Sequence, residues 1–294
     1  MDLHDHEKRP SVDLEEAPRV TRSQERAVST REWDAARYDA ISNPQARWGA
    51  TVADRLDLCG DETVLDAGCG SGRVTEVVLE RLPRGRVVAV DASESMLSEA
   101  RQRLFDNRER VHFIRCDLLD LTHETIAATT RDNEHAGADG VDTSVGVDAV
   151  ISTATFHWIT DHDRLFDVLA SLLRPGGQLV AQCGGEGNID SVIEAVRSLG
   201  VERAGTWLYA SSEETARRLE RAGFTDVVTW TNPERVVFPP GPSLAEFLEV
   251  VCLREHLATV PPEQRRPFVE KVIAAMDEPA IDYVRLNIVA RRSE

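Results

Sequence analysis

The residues best suited to chemistry begin at Val64-Leu65-Asp66-Ala67-Gly68-Cys69-Gly70-Ser71-Gly72, where an apolar run ends on an acid and turns through three alternate glycines. A helical pattern opens at Arg73. Glycines at a strand-to-helix turn let a ligand approach the backbone and present amide N–H groups at a helix N-terminus. The dinucleotide fingerprint G-x-G-x-x-G needs its third glycine at position 73, where arginine stands. The spacing is instead D-x-G-x-G-x-G, which points to a nucleoside with no pyrophosphate to cradle. Asp91 follows Gly72 by 19 residues. An acid at that distance accepts hydrogen bonds from both ribose hydroxyls, or else caps the next helix, a task already open to Ser93. Asp117 follows a third apolar run with Leu118 beside it; it is either an acceptor for an adenine amino group or a solvated loop acid.

These residues need elements to hold them at one edge. Short apolar strands are expected at 63–66, 86–91, 111–115, 147–152 and 178–183, alternating with helices at 73–82, 93–105 and 161–173. That alternation builds a parallel sheet with helices on both faces, the doubly wound α/β class, whose ligands lie at the carboxyl ends of the strands. The glycine turn, Asp91, Asp117 and Ser152-Thr153 all fall at such ends. Further on, helices are expected at 189–199, 213–222, 244–256 and 263–276, with strands at 226–231 and 283–290. The domains expected are a disordered tail over 1–30, a cofactor-binding core with N-terminal helices over 31–232, a helical substrate lid over 233–280, and a final core strand over 281–294. Residues 122–146 begin as a short helix and become an acidic, solvated insertion.

Composition narrows the partners. The net charge is -17, and all but two of the 34 basic residues are arginine. A chain this acidic lacks the basic face that phosphate backbones require, so no nucleic-acid partner is expected. No apolar run is long enough to span a bilayer, so no membrane partner is expected, and the location expected is cytoplasmic. Five cysteines without a CxxC pair read as reduced thiols, and no metal site is expected. Oligomeric state is not legible.

Four segments together resemble the successive motifs of class I S-adenosylmethionine-dependent methyltransferases: Val64–Gly72; Val88-Ala89-Val90-Asp91-Ala92-Ser93 with Met96 and Leu97; Phe113-Ile114-Arg115-Cys116-Asp117; and Leu172-Leu173-Arg174-Pro175-Gly176-Gly177. The resemblance implies a Rossmann-like seven-stranded, mostly parallel sheet whose last strand is antiparallel, and S-adenosyl-L-methionine as cofactor. It implies that Gly68, Gly70 and Gly72 shape the pocket beside the methionine part and that Asp66 supports the turn. Asp91 and Ala92 would lie at the ribose, Met96 on the adenine, Asp117 and Leu118 at the adenine edge, and Thr153 at the cofactor. More narrowly, Ala154-Thr155-Phe156-His157-Trp158-Ile159-Thr160-Asp161-His162 and the ending 284–292 are similar to the trans-aconitate 2-methyltransferase type. Trp33-Asp34 through Tyr38 resembles the opening helix of that group, whose tyrosine reaches the cofactor.

Methyl transfer from a sulfonium needs proximity, alignment and dryness rather than a nucleophilic residue or a metal. A carboxylate acceptor needs no base, whereas a phenol or enol is helped by one, and His157 is the candidate base, or else half of a packed His157-Trp158 wall. Arg254 and Arg285 are the candidate partners of an acidic substrate, with Trp158 lining it. The function expected is O-methylation of a small acidic metabolite such as a carboxylate. The alternatives are C- or O-methylation of a quinone or polyketide, a nicotinamide-dependent reductase, and a non-catalytic cofactor-binding module.

Overall fold

The computed structural model describes residues 43–131, 146–201, 207–239, 242–258 and 260–294. The expected tail over 1–30, the helix carrying Trp33 and Tyr38, and the acidic stretch 132–142 lie outside them. The chain runs α1 (Asn43–Ala53), β1 (Thr63–Ala67), α2 (Arg73–Glu80), β2 (Arg86–Asp91), α3 (Glu94–Arg103), β3 (Val111–Arg115) and α4 (His123–Arg131). It continues with β4 (Val147–Thr153), α5 (His162–Leu172), β5 (Leu173–Gly184), α6 (Asp190–Ser198), α7 (Ser212–Arg221) and β6 (Phe224–Val237). Between β6 and β7 (Ala280–Arg292) stand α8 (Pro242–Phe247), a π-turn (Leu248–Cys252), α9 (Arg254–Leu257) and α10 (Pro262–Ala275).

One seven-stranded sheet has the order β3-β2-β1-β4-β5-β7-β6. The first five strands are parallel, and β7 runs antiparallel to both β5 and β6. The order reverses between β1 and β4, so the crevice that a doubly wound sheet offers a ligand opens beside the glycine turn. Val64, Leu65 and the run Val87–Val90 are sealed from solvent because helices cover both faces. Each such aliphatic side chain contributes about 1.5–3 kcal/mol on burial, which makes the parallel half a stiff base for the loops at its carboxyl edge.

Helix starts follow their caps. Ser93 Oγ accepts from Met96 N at 3.3 Å, and Asp161 accepts from Arg164 N at 3.0 Å. Two expectations change. β6 does not stop at 231 but runs to Val237 through Pro233, which an edge strand tolerates because its outer side has no ladder to break. The single helix expected over 244–256 is interrupted by the π-turn, where Leu253 N bonds Leu248 O at 2.7 Å. The wider turn re-phases the apolar face, so that Leu248, Cys252, Leu253 and Leu257 all enter one cluster with Trp48, α6, α10 and the start of β7.

Candidate active site

The glycine turn is held from three sides. Gly68 N and Cys69 N both donate to Val90 O at 2.9 Å, tying the turn to the end of β2. Thr155 Oγ1 donates to Gly68 O at 3.2 Å, and Ser152 Oγ to Ala67 O at 2.6 Å, tying it to β4. Arg103 Nε reaches across from α3 to Ser71 O at 2.9 Å. Gly68, Gly70 and Gly72 all have left-handed φ angles, of 85°, 54° and 81°. A Cβ at Gly68 would overlap the Thr155 side chain, whereas one at Gly70 would meet nothing within 4 Å. The turn is therefore packed beneath and open above, a cradle that a nucleoside fits and a side chain would fill.

Asp91 closes that cradle. Its two oxygens accept from Gly70 N and Ser93 N, each at 2.9 Å, so one carboxylate links the turn to the start of α3. Ala92 follows it half-buried, and Met96 is buried on α3. Asp117 accepts from Leu119 N at 3.0 Å and starts a 3-10 turn over Leu118–Asp120, which buries Leu118 beside β3. Thr153 ends β4, half-buried, its carbonyl accepting from Thr155 Oγ1 at 3.0 Å. Asp66 sits under the turn at 1% exposure and accepts from Thr75 Oγ1 of α2 at 2.6 Å. Burial raises its pKa to about 7, with the Asp91 charge adding and the Thr75 hydrogen bond opposing. Cys69 within the turn is buried, and burial first, then Asp91 and Asp66, hold its thiol well above the ordinary range. It is no nucleophile.

A second group assembles past β4 and β5. The chain leaves β4 through Ala154, at φ 55°, into a 3-10 turn over Phe156–Trp158. That turn buries His157 to 7% exposure with its Nδ1 accepting from Gly184 N at 3.3 Å. An imidazole that accepts at Nδ1 carries its proton on Nε2. Burial first, then the Arg285 and His162 charges, push the His157 pKa down to about 3. The imidazole is therefore held neutral, with Nδ1 engaged and the proton on Nε2, which favours the packed His157-Trp158 wall over the base.

Arg285 of β7 lies opposite Gly184 of β5, 3% exposed, its guanidinium 4.6 Å above the Trp48 ring and its Nε donating to Gln182 Oε1 at 3.3 Å. Arg254, half-buried, opens α9 in the inserted helices, two residues before His256, whose ring is 5.8 Å from Trp207. Trp207 stands edge-on to Trp158 and stacks on Tyr209, each at 5.8 Å, and the His157 ring is 5.0 Å from Trp158 and 5.8 Å from Tyr209. Nothing in the sequence singles out Trp48, Gln182, Trp207 or Tyr209, because none belongs to a contiguous motif, and Asn287 lies within the 284–292 ending with no role assigned to it. Tyr38 lies outside the described residues.

Comparison with known proteins bears on the fold and on the family. Residues 65–179 match the family described as "Methyltransferase domain". The trans-aconitate 2-methyltransferase of Acidovorax sp. (strain JS42) is 25% identical over 283 residues, covering 89% of this chain and 99% of that protein. The one from Methylobacterium nodulans is 26% identical over 284 residues, with the same coverage. A Haloferax volcanii putative methyltransferase solved with the Trm112 methyltransferase activator superposes with a TM-score of 0.54 at 17% identity, covering 88% of this chain and 94% of that one. Haemonchus contortus phosphoethanolamine N-methyltransferase 2, solved with S-adenosylhomocysteine, gives 0.55 at 19% identity, covering 88% of this chain and 57% of that one. The cyclase SpnF gives 0.53 at 19% identity, covering 84% and 80%, so likeness of fold does not by itself fix the reaction. The family match bears on what the fold leaves open: residues 65–179 match a methyltransferase domain, and relatives 25% and 26% identical over 89% of the chain are trans-aconitate 2-methyltransferases.

Proposed function

We propose that the protein transfers the methyl group to a carboxylate oxygen of a small, acidic metabolite. The observation that carries this reading is Arg285: a guanidinium almost sealed from solvent, at the carboxyl end of β5, packed on Trp48 and beside the neutral donor His157. Keeping such a charge out of water is costly and serves best where an anion has to be fixed by a planar fork. The names of the relatives point the same way, since their acceptor is a tricarboxylate.

S-adenosylmethionine supplies a methyl on a positively charged sulfur whose leaving form is a neutral thioether. In this reading Gly68, Gly70 and Gly72 enclose its methionine part, and Asp66 stiffens the turn through Thr75. Asp91 takes the ribose hydroxyls next to Ala92, Met96 backs the adenine, Asp117 and Leu118 bound its edge, and Thr153 lines the cofactor from β4. Arg285 holds the acceptor carboxylate and His157 Nε2 donates to it; Trp158, Trp207 and Tyr209 keep water out, and Arg254 meets a second acidic group. No proton is released when a carboxylate receives the methyl, so no base is required.

The test is transfer of labelled methyl to trans-aconitate, to other small di- and tricarboxylic acids, and to neutral phenols and quinols. Arg285→Met should raise KM for the acid about a hundredfold, the cost of a charged bidentate contact, and leave the affinity for S-adenosylhomocysteine within twofold of wild type. Turnover of phenols alone, unaffected by Arg285→Met, would replace this reading with the aromatic-acceptor one.

A further inference from the structure

We propose that Gln182 and Asn287, side by side on β5 and β7, are positioning residues that fix which edge of the Arg285 guanidinium faces the acceptor; this rests on Arg285 as the carboxylate anchor. The two are direct partners across the β5–β7 ladder, and Asn287 is 0% exposed. Gln182 Nε2 donates to Asn287 Oδ1 at 2.8 Å, and Gln182 Oε1 accepts from Arg285 Nε at 3.3 Å. Asn287 Oδ1 also accepts from Arg55 Nη1 at 2.7 Å, while its Nδ2 donates to Asn232 Oδ1 and Arg285 O, both at 3.0 Å. Asn232 Oδ1 in turn accepts from Trp230 Nε1 at 2.9 Å, and the Arg55 guanidinium rests 4.9 Å from the Trp230 ring.

This chain can run in only one direction. A guanidinium donates and never accepts, so both ends of the two-amide bridge must present oxygen to an arginine. Arg55 therefore sets Asn287 with Oδ1 toward it. That oxygen obliges Gln182 to offer Nε2, which turns Gln182 Oε1 to Arg285. Flipping Gln182 sets donor against donor at Arg285 and acceptor against acceptor at Asn287, and flipping Asn287 sets its donor against the donors of both Arg55 and Gln182, in a site where unmatched polar groups are expensive. With Nε committed to Gln182, the guanidinium plane is fixed about its own axis. Arg55 sits at the far end of the relay, on the segment after α1, and is itself half-buried.

Gln182→Met keeps the volume and removes the oxygen. In the full chain, saturated with S-adenosylhomocysteine, binding of trans-aconitate, citrate and tricarballylate by calorimetry should weaken about tenfold for the best-binding acid, the scale of one hydrogen bond to a charged group. Asn287→Leu should do the same, or fail to fold, in which case Arg55→Met, which removes the orienting donor without touching the core, takes its place with a smaller loss. The readout that a structural role alone would not move is coupling: in an Arg285→Met background, Gln182→Met should produce no further loss. A second, ligand-independent readout is the Arg285 Nε–H resonance, protected from exchange in wild type and rapidly exchanging in Gln182→Met. If Arg285→Met weakens acid binding while Gln182→Met changes neither that binding nor the resonance, the relay is refuted and the anchor stands. Additive losses refute the relay as well. If wild type binds none of the acids, or Arg285→Met leaves their binding intact, the anchor reading falls and takes the relay with it.

Discussion

The two ends of this site are built by different means. At β1 and β2 the candidate site is main chain: three left-handed glycines, amides spent on Val90 and Asp91, and an open space where Gly70 lacks a Cβ. At β5 and β7 it is side chain: Arg285, His157, Gln182, Asn287 and Trp48, brought together from α1, the turn after β4, and two antiparallel neighbours. In the proposed reading the first end takes the cofactor, and backbone geometry admits little variation. In the same reading the second end distinguishes one acceptor from another, and side chains can be exchanged there without rebuilding the sheet.

The sharpest way to break this comparison lies in two neighbouring glycines. Gly68→Ala forces a methyl into the Thr155 side chain at a φ of 85°, with both Thr155 branches in the way. Overpacking and left-handed strain together should cost about 3 kcal/mol or more, read as a large fall in melting temperature and loss of soluble, folded protein. Gly70→Ala meets nothing in the protein, so its cost should be only the left-handed strain of about 1–2 kcal/mol. Its methyl instead enters the cradle, and affinity for S-adenosylhomocysteine should fall by about tenfold or more, the scale of one displaced close contact. If Gly70→Ala binds that ligand like wild type, the turn does not enclose it.

Asp66 sharpens the comparison by separating support from contact. Its folded pKa of about 7 stands above the ordinary carboxyl value of 3.8, so between the two the folded state holds a proton that the unfolded chain has released. That contribution is complete below 3.8 and is lost as the pH rises through about 7. Relative to Asp66→Asn, wild-type stability to urea should decline between these limits by a few kcal/mol at most, about 1.4 per pKa unit, and level off above them. A difference that is flat with pH would show that Asp66 is ionised in the fold and that its environment is wetter than its burial implies.

How much of this was legible in the sequence follows the same division. The glycine spacing, the acid ending β2 and the alternation of strands and helices are local patterns, and the seven strands with an antiparallel last one follow from them by way of the family they resemble. The acceptor end is not local. On β7, Arg285 and Asn287 alternate with Leu286 and Ile288, the pattern of a strand with one wet face. The structure buries that face because the segment from Trp48 to Asp57 lies across it, with Arg55 bonding Asn287 and the Asp57 backbone exchanging hydrogen bonds with Gln178. Nothing in the local sequence announces that cover. The π-turn at Leu248–Cys252 has no glycine or proline to mark it, and the role of Asp91 as partner of Gly70 N needs a register that only the folded sheet supplies.

His157 gives the smallest expected effect and the finest discrimination between the two ends. A general base titrating near neutrality imposes an acid limb on the pH profile of kcat/KM, and its removal costs about a hundredfold to ten-thousandfold. With its pKa held at about 3 and Nδ1 engaged by Gly184 N, His157 has no such limb to give. For a carboxylate acceptor whose own acid groups are ionised, His157 should add no acid limb to kcat/KM between about pH 6 and 9. His157→Gln retains an amide donor for the acceptor and an amide oxygen for Gly184 N, and should lower kcat/KM by only about threefold to tenfold, the worth of one imperfectly placed hydrogen bond, without altering the shape of the profile. A wild-type limb near pH 6–7 that vanishes in His157→Gln would restore the histidine as a base and shift the acceptor from a carboxylate toward a phenol or enol.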